Sequence, residues 1–223
     1  MYLFGVRTIR RKTEMKKALI AIMVILTVFS ASVFARDGFD NYSGISIGFG
    51  FSKVKLTDGG LEDKQSSNPL VISAIDYGFF DRSPVGAFAQ IGVTIPLNFK
   101  VNDVQNDNWV AGITASLGPA FKFDMGNSMS ILLGAGFYFY TTTWTNYSDT
   151  AKLQRNYFGA GADIQASYKV GRNFAITAGA SVEYYFANYS KIVYKYWRET
   201  TDVSYSSYSE FRVLPKISGY YIY

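Results

Sequence analysis

Much of the chain alternates between large apolar and small or polar residues with a period of two. Ile45, Ile47, Phe49 and Phe51 are interleaved with Ser46, Gly48, Gly50 and Ser52. From Val85 to Phe99 one row holds Val85, Ala87, Ala89, Ile91, Val93, Ile95, Leu97 and Phe99, while Gly86, Gln90, Gly92, Thr94 and Asn98 occupy the other. Period-two alternation between clusters of turn residues is the mark of β-strands. The pattern predicts eight strands, near 41–55, 69–80, 85–99, 109–123, 129–145, 156–170, 174–188 and 210–223. Each meets the roughly 9–11 residues a tilted strand needs to cross a bilayer.

The connections alternate in length. Asp81–Pro84, Asp124–Ser128 and Gly171–Asn173 read as tight turns. Longer loops are expected near 56–68, 100–108, 146–155 and 189–209. Short turns at one end and long loops at the other, with an even strand count, predict an all-β, antiparallel up-and-down transmembrane β-barrel. The faces favour lipid over water. A soluble barrel turns its apolar row inward, whereas the second row here is rich in Gly, Ala, Ser and Thr and suits a narrow lumen.

Composition adds to this picture. Tyr and Phe number 18 each and Gly 20, as suits a sheet with rings at a polar boundary. Cys and His are both absent, which excludes disulfides, thiolate metal sites and His-based catalysis. The net charge of +5 is concentrated in residues 1–35, which carry Arg7, Arg10, Arg11, Lys12, Lys16 and Lys17 against Glu14 alone. Beyond Ala35 the charges balance, so no nucleic-acid partner is implied. Lys16-Lys17, an apolar run from Ala18 to Phe29 and Ser30-Ala31-Ser32-Val33-Phe34-Ala35 read as a signal peptide over 15–35 cut after about Ala35. A membrane-anchoring helix is the other reading of that run. Residues 1–14 read as an over-extended N-terminus, and 36–223 as the barrel domain.

These features resemble the small eight-stranded outer-membrane barrels, among them OmpX, OmpW and the membrane domain of OmpA. The sharpest local element is Lys216-Ile217-Ser218-Gly219-Tyr220-Tyr221-Ile222-Tyr223. The resemblance implies that a C-terminal strand of this kind is read by the barrel-assembly machinery. Gly219, Tyr221 and Tyr223 would form the signal, although Gly219 stands one place later than the usual pattern. The chain stops there, so no peptidoglycan-binding domain is expected after the barrel.

Parity assigns Asp76, Gln90, Lys122, Asp163, Lys169, Glu183, Glu210, Arg212 and Lys216 to the lumen. Acids and bases balance there, which suggests a pairing network that plugs the barrel; a narrow solute path is the alternative. Parity also assigns Tyr42, Tyr77, Trp109, Phe123, Tyr168, Phe174, Tyr184, Tyr221 and Tyr223 to outward aromatic girdles. Alternation persists through Tyr189–Trp197 and resumes at Val203–Tyr208. It predicts a hairpin that projects past the bilayer, turns near Arg198–Asp202 and displays Tyr194, Tyr196, Trp197, Arg198, Tyr205 and Tyr208. A ten-stranded barrel is the other reading, but Lys191, Lys195, Arg198 and Glu199 would be costly in lipid.

No catalytic, cofactor or metal residues stand out, and the chain reads as a non-enzyme. Outer-membrane lipids, the assembly machinery and an extracellular protein or glycan are the expected partners. The function expected is surface interaction through the loops, with a narrow pore or an OmpW-like channel for small or hydrophobic solutes as the alternative.

Overall fold

The computed structural model describes residues 39–58, 61–80, 83–106, 110–148, 151–194, 200–203, 205 and 207–223. The signal-peptide reading and the positions of Trp109, Tyr196, Trp197 and Arg198 lie outside them. The described chain forms strands β1 (Phe39–Phe49), β2 (Phe51–Asp58), β3 (Leu61–Phe80), β4 (Val85–Val101), β5 (Val104–Gln105), β6 (Val110–Asp124), β7 (Met129–Ser148), β8 (Ala151–Lys169), β9 (Phe174–Tyr194), β10 (Thr200–Val203) and β11 (Ser207–Ile222).

β1 and β2 form one stave. The first stave pairs with β3, and antiparallel pairing continues through β4, β6, β7, β8 and β9 to β11, which pairs back onto β1 and β2. The ring therefore closes with eight staves. Among the described residues β10 pairs with β9 alone, above the level where β9 leaves β11 at Tyr185, and the ring itself closes through β11, so the ten-stranded reading does not hold.

The break between β1 and β2 falls at Gly50, beside Pro215 on β11. Proline has no N–H to donate, and a Cβ at Gly50 would collide with the backbone of Val213. Pro119 leaves a similar gap: the β6–β7 ladder passes from Leu117↔Phe137 to Ala120↔Gly134.

The long loops expected at one end are for the most part continuations of the strands. β2 and β3 stay paired from Ser52↔Ser67 to Asp58↔Leu61, and β7 and β8 remain strand to Ser148 and from Ala151. β4 returns through Asn102 and Asp103, both with positive φ, in the tight two-residue turn that such residues permit. Thr200–Val203 are strand paired with Ser190–Val193, so Thr200–Asp202 do not form the turn expected across Arg198–Asp202. Polar outward residues raised the expectation of loops, but above a bilayer a polar face is no obstacle to a ladder.

The outer surface is apolar and the inner one is not. Ile45, Ile47, Phe49, Ile113, Leu117, Ile164, Ile176, Val182 and Ile217 are exposed, while Ser46, Thr94, Thr114, Ser116, Ser167, Thr177, Ser181 and Ser218 are buried. Aromatics border the aliphatic band. Phe123, Tyr168, Phe174, Tyr221 and Tyr223 are exposed near the short turns; Phe51, Phe158, Tyr184, Phe186 and Phe211 are exposed toward the hairpins. From Tyr168 up to Phe158 on β8, tilted strand geometry gives about 25 Å, the height of an apolar membrane band. Such a surface suits hydrocarbon, with every stave paired on both sides.

Candidate functional site

Strand alternation and closure gather the interior side chains into layers. At the short-turn mouth Lys122 reaches Asp40 at 2.8 Å and Asp124 at 3.8 Å, while Ser130 Oγ donates to Asp124 at 2.8 Å. The Lys122 ammonium also lies 5.5 Å from the Phe79 ring centroid and 6.0 Å from that of Tyr42. Next inward from this mouth is a plug of rings: Tyr42, Tyr77, Phe79, Phe88, Tyr138 and Tyr220, all buried. Tyr77 stacks on Phe79 at 6.2 Å and on Phe88 at 5.8 Å, and Tyr42 meets Phe79 edge-on at 6.0 Å. Gly134 makes this layer possible, since a Cβ there would lie 2.8 Å from the Phe88 ring.

The next layer is polar. Lys216 pairs with Asp163, which also accepts hydrogen bonds from Tyr77 at 2.6 Å and Gln165 Nε2 at 2.7 Å. Gln165 Oε1 accepts from Thr177, Tyr220 and Ser218 at 2.6, 3.0 and 3.2 Å. Above it, Arg212 lies 3.3 Å from Glu183 and 4.0 Å from Glu210, and donates to Thr94 at 3.2 Å. Its guanidinium sits over the Tyr140 ring, 4.8 Å from the centroid. Glu210 accepts hydrogen bonds from Ser52, Tyr208 and Tyr140; Glu183 accepts from Tyr185 at 2.7 Å and Ser181 at 3.0 Å. Burying these charges is tolerable because each is met by an opposite charge and by hydrogen-bond donors from the wall.

The structure thus brings Glu183, Glu210 and Arg212 together and sets Lys216 beside Asp163. Lys122 stands apart at the mouth, Gln90 donates to Ser73 at 2.8 Å, and Lys169 is half-buried at the short-turn end of β8. Asp76 requires a correction. Cross-strand partners share a face, and Asp76 pairs with Ser43, itself opposite Tyr221, on the outward side of the wall, where it is nonetheless covered. Tyr77 takes the inward place, so neither Tyr77 nor its partner Tyr42 belongs to an outer girdle; both are buried in the plug. The misreading followed from assigning every large ring to lipid. A phenol belongs inside where its hydroxyl meets a carboxylate.

Tyr205 and Tyr208 are corrected likewise. Tyr208 donates to Glu210 inside the barrel, and Tyr205 accepts from Arg155 at 3.0 Å. Tyr194 ends β9, where Ala151 is its partner across the ladder. Along the same hairpin Tyr189 donates to Asp202 at 2.7 Å, and that bond to a carboxylate raises the phenol's pKa. In β11, Tyr221 and Tyr223 stack at 5.9 Å on the outer face, Phe174 packs over Gly219, and Tyr223 Oη lies 3.0 Å from Ser43 Oγ.

Sequence reasoning missed Gln165, although it lies within the sixth predicted strand, and it missed Arg155 because that strand was started at 156. The row Ala151, Leu153, Arg155, Tyr157 already alternated with Lys152, Gln154 and Asn156. All four are buried, at the hairpin end of the lumen. A cavity of ≈ 50 Å³ remains there, lined among others by Phe99, Trp144, Leu153, Arg155 and Tyr157. That is room for a few waters. Among the described residues no cluster of three acidic side chains gathers to hold a metal ion.

No protein-family model matches the chain, and no curated protein matches it. Solved barrels do resemble it. Neisserial surface protein A is 11% identical over 82% of this chain and 98% of that one, with a TM-score of 0.47. A major outer membrane protein from Thermus thermophilus is 13% identical over 81% and 99%, with a TM-score of 0.49. Ail of Yersinia pestis is 19% identical over 84% and 100%, with a TM-score of 0.40. The eight-staved antiparallel ring is read from this chain's own ladders. What this chain does has to be read from its own residues.

Proposed function

We propose that this protein is a plugged barrel of a bacterial outer membrane whose function lies in its projecting hairpins, which contact an extracellular protein or glycan. The ring layer of Tyr42, Tyr77, Phe79, Phe88, Tyr138 and Tyr220 carries the reading, because it fills the lumen from wall to wall below two layers of paired charge. A structure built so tightly gains nothing for conduction. It does make a rigid base for the hairpins. Among the described residues β10 pairs on one side, with β9, and offers an edge of the kind that captures a partner by strand addition. On the same reading β11, with Gly219, Tyr221 and Tyr223, is the strand presented to the assembly machinery, and the aromatic borders contact membrane lipid.

Two measurements on one sample test the proposal. Refolded protein in a planar bilayer should show no channel events; steady single-channel conductance would overturn it in favour of a narrow pore. Replacing residues 191–202 with a two-residue Asn-Gly turn shortens the β9–β10 hairpin without touching the ring. Heat-modifiable migration should persist while binding of cells carrying the protein to host matrix or glycan surfaces is lost. Undiminished binding would sink the hairpin assignment.

A further inference from the structure

Arg155 is 7% exposed, and among the described residues no carboxylate forms an ion pair with it. The other interior cations differ: Arg212 has Glu183 and Glu210, Lys216 has Asp163, and Lys122 has Asp40 and Asp124. Arg155 instead spends its outer nitrogens on neutral groups. Nη1 donates to Gln65 Oε1 at 2.9 Å and Nη2 to the Tyr205 hydroxyl at 3.0 Å. The Tyr157 hydroxyl is a further neutral partner of the guanidinium, and the buried Nε–H has no well-aligned hydrogen bond among the described residues. A guanidinium has five N–H donors, and the Nε edge with its adjacent Nη hydrogen forms a planar fork that matches two carboxylate oxygens.

Aromatic rings stand beside that fork, among polar residues such as Ser67 and Thr142. Trp144 and Tyr205 lie 6.0 and 5.7 Å from the guanidinium carbon by their ring centroids. Phe99 meets Trp144 edge-on at 5.2 Å. This contact lies beyond Thr94↔Gly112, the last β4–β6 pair among the described residues. The ≈ 50 Å³ cavity beneath fits a single carboxylate group rather than a whole ligand. Glu210 also lines it, but that carboxylate is committed to Ser52, Tyr140, Tyr208 and Arg212. A buried charge with an idle donor and no counter-ion is costly, and an entering anion removes the cost.

We infer that the hairpin-end cup binds the carboxylate of a small organic acid at the Nε edge of Arg155, with the acid's apolar body against Trp144 and Phe99. This site uses none of residues 191–202, so its failure and that of the hairpin reading are separable. The test uses the full chain, 15N-labelled and refolded in detergent micelles, titrated with benzoate, acetate and sulfate.

The Arg155 Nε–H resonance should shift saturably with benzoate, less with acetate, and least with sulfate. Arg155→Gln should weaken benzoate binding about tenfold or more, the scale of a lost charge-assisted hydrogen bond. If that variant does not fold, Trp144→Ala serves in its place, and it should weaken benzoate more than acetate. An unmoved Nε–H resonance overturns the inference, as does sulfate matching benzoate or undiminished binding in the variant.

Discussion

Arg212 and Glu183 meet 3.3 Å apart in the middle of the lumen, both almost wholly buried, and each is held by further hydrogen bonds from the wall. Removing one partner of such a pair leaves an uncompensated charge where water cannot reach it. Arg212→Leu should therefore destabilise the barrel by about 3–5 kcal/mol. Urea unfolding in lipid vesicles reads this out; a midpoint equal to that of the parent chain would show that the cluster is solvated.

Lys216 and Asp163 form the second buried pair. Lys216→Met alone should cost a similar amount, whereas Lys216→Met with Asp163→Asn should recover most of it, since the remaining groups are neutral. Tyr77 and Gln165 can still hydrogen-bond the amide. A double variant no more stable than the single one would mean that the lysine acts by packing rather than by charge.

Gly134 faces the Phe88 ring across the lumen. Gly134→Val should destabilise by about 1–3 kcal/mol through overpacking, and adding Phe88→Ala should relieve part of that cost. Heat-modifiable migration and the urea midpoint follow both changes. Independent, additive effects would place the two residues out of contact.

Ile217 is 65% exposed on the outer face, midway between Tyr221 and Phe211 along β11. If the band is immersed in hydrocarbon, Ile217→Arg costs about 2–4 kcal/mol, while Phe123→Arg near the short turns costs about 0–1 kcal/mol. Equal and negligible costs at both positions would contradict a membrane setting.

The strand pattern was legible in the sequence because alternation is a local property of the chain. Eight segments, the tight turns at 81–84, 124–128 and 171–173, and the outward row of Ile45, Ile47, Phe49 and Phe51 all follow from neighbours along the chain. Where local signals conflict, the reading slipped. Asp76-Tyr77 offers a charge and a ring at adjacent positions, and polarity alone put the charge inside. Cross-strand register with Ser43 and Tyr42 reversed that choice. Arg155 was lost because a strand boundary was set too late, and Tyr205 and Tyr208 because a tyrosine in a presumed loop looks solvent-exposed.

The sequence by itself determined eight alternating segments, a charge balance beyond residue 35 and a lipid-compatible row. Only tertiary structure decided which acids meet which bases, that phenols rather than aliphatics fill the lumen, and that Arg155 is left without a counter-ion among the described residues. The reason is physical. Period and polarity are set within a few residues, but a lumen exists only after the first stave pairs with the last, and its contacts join residues as distant as Ser52 and Glu210.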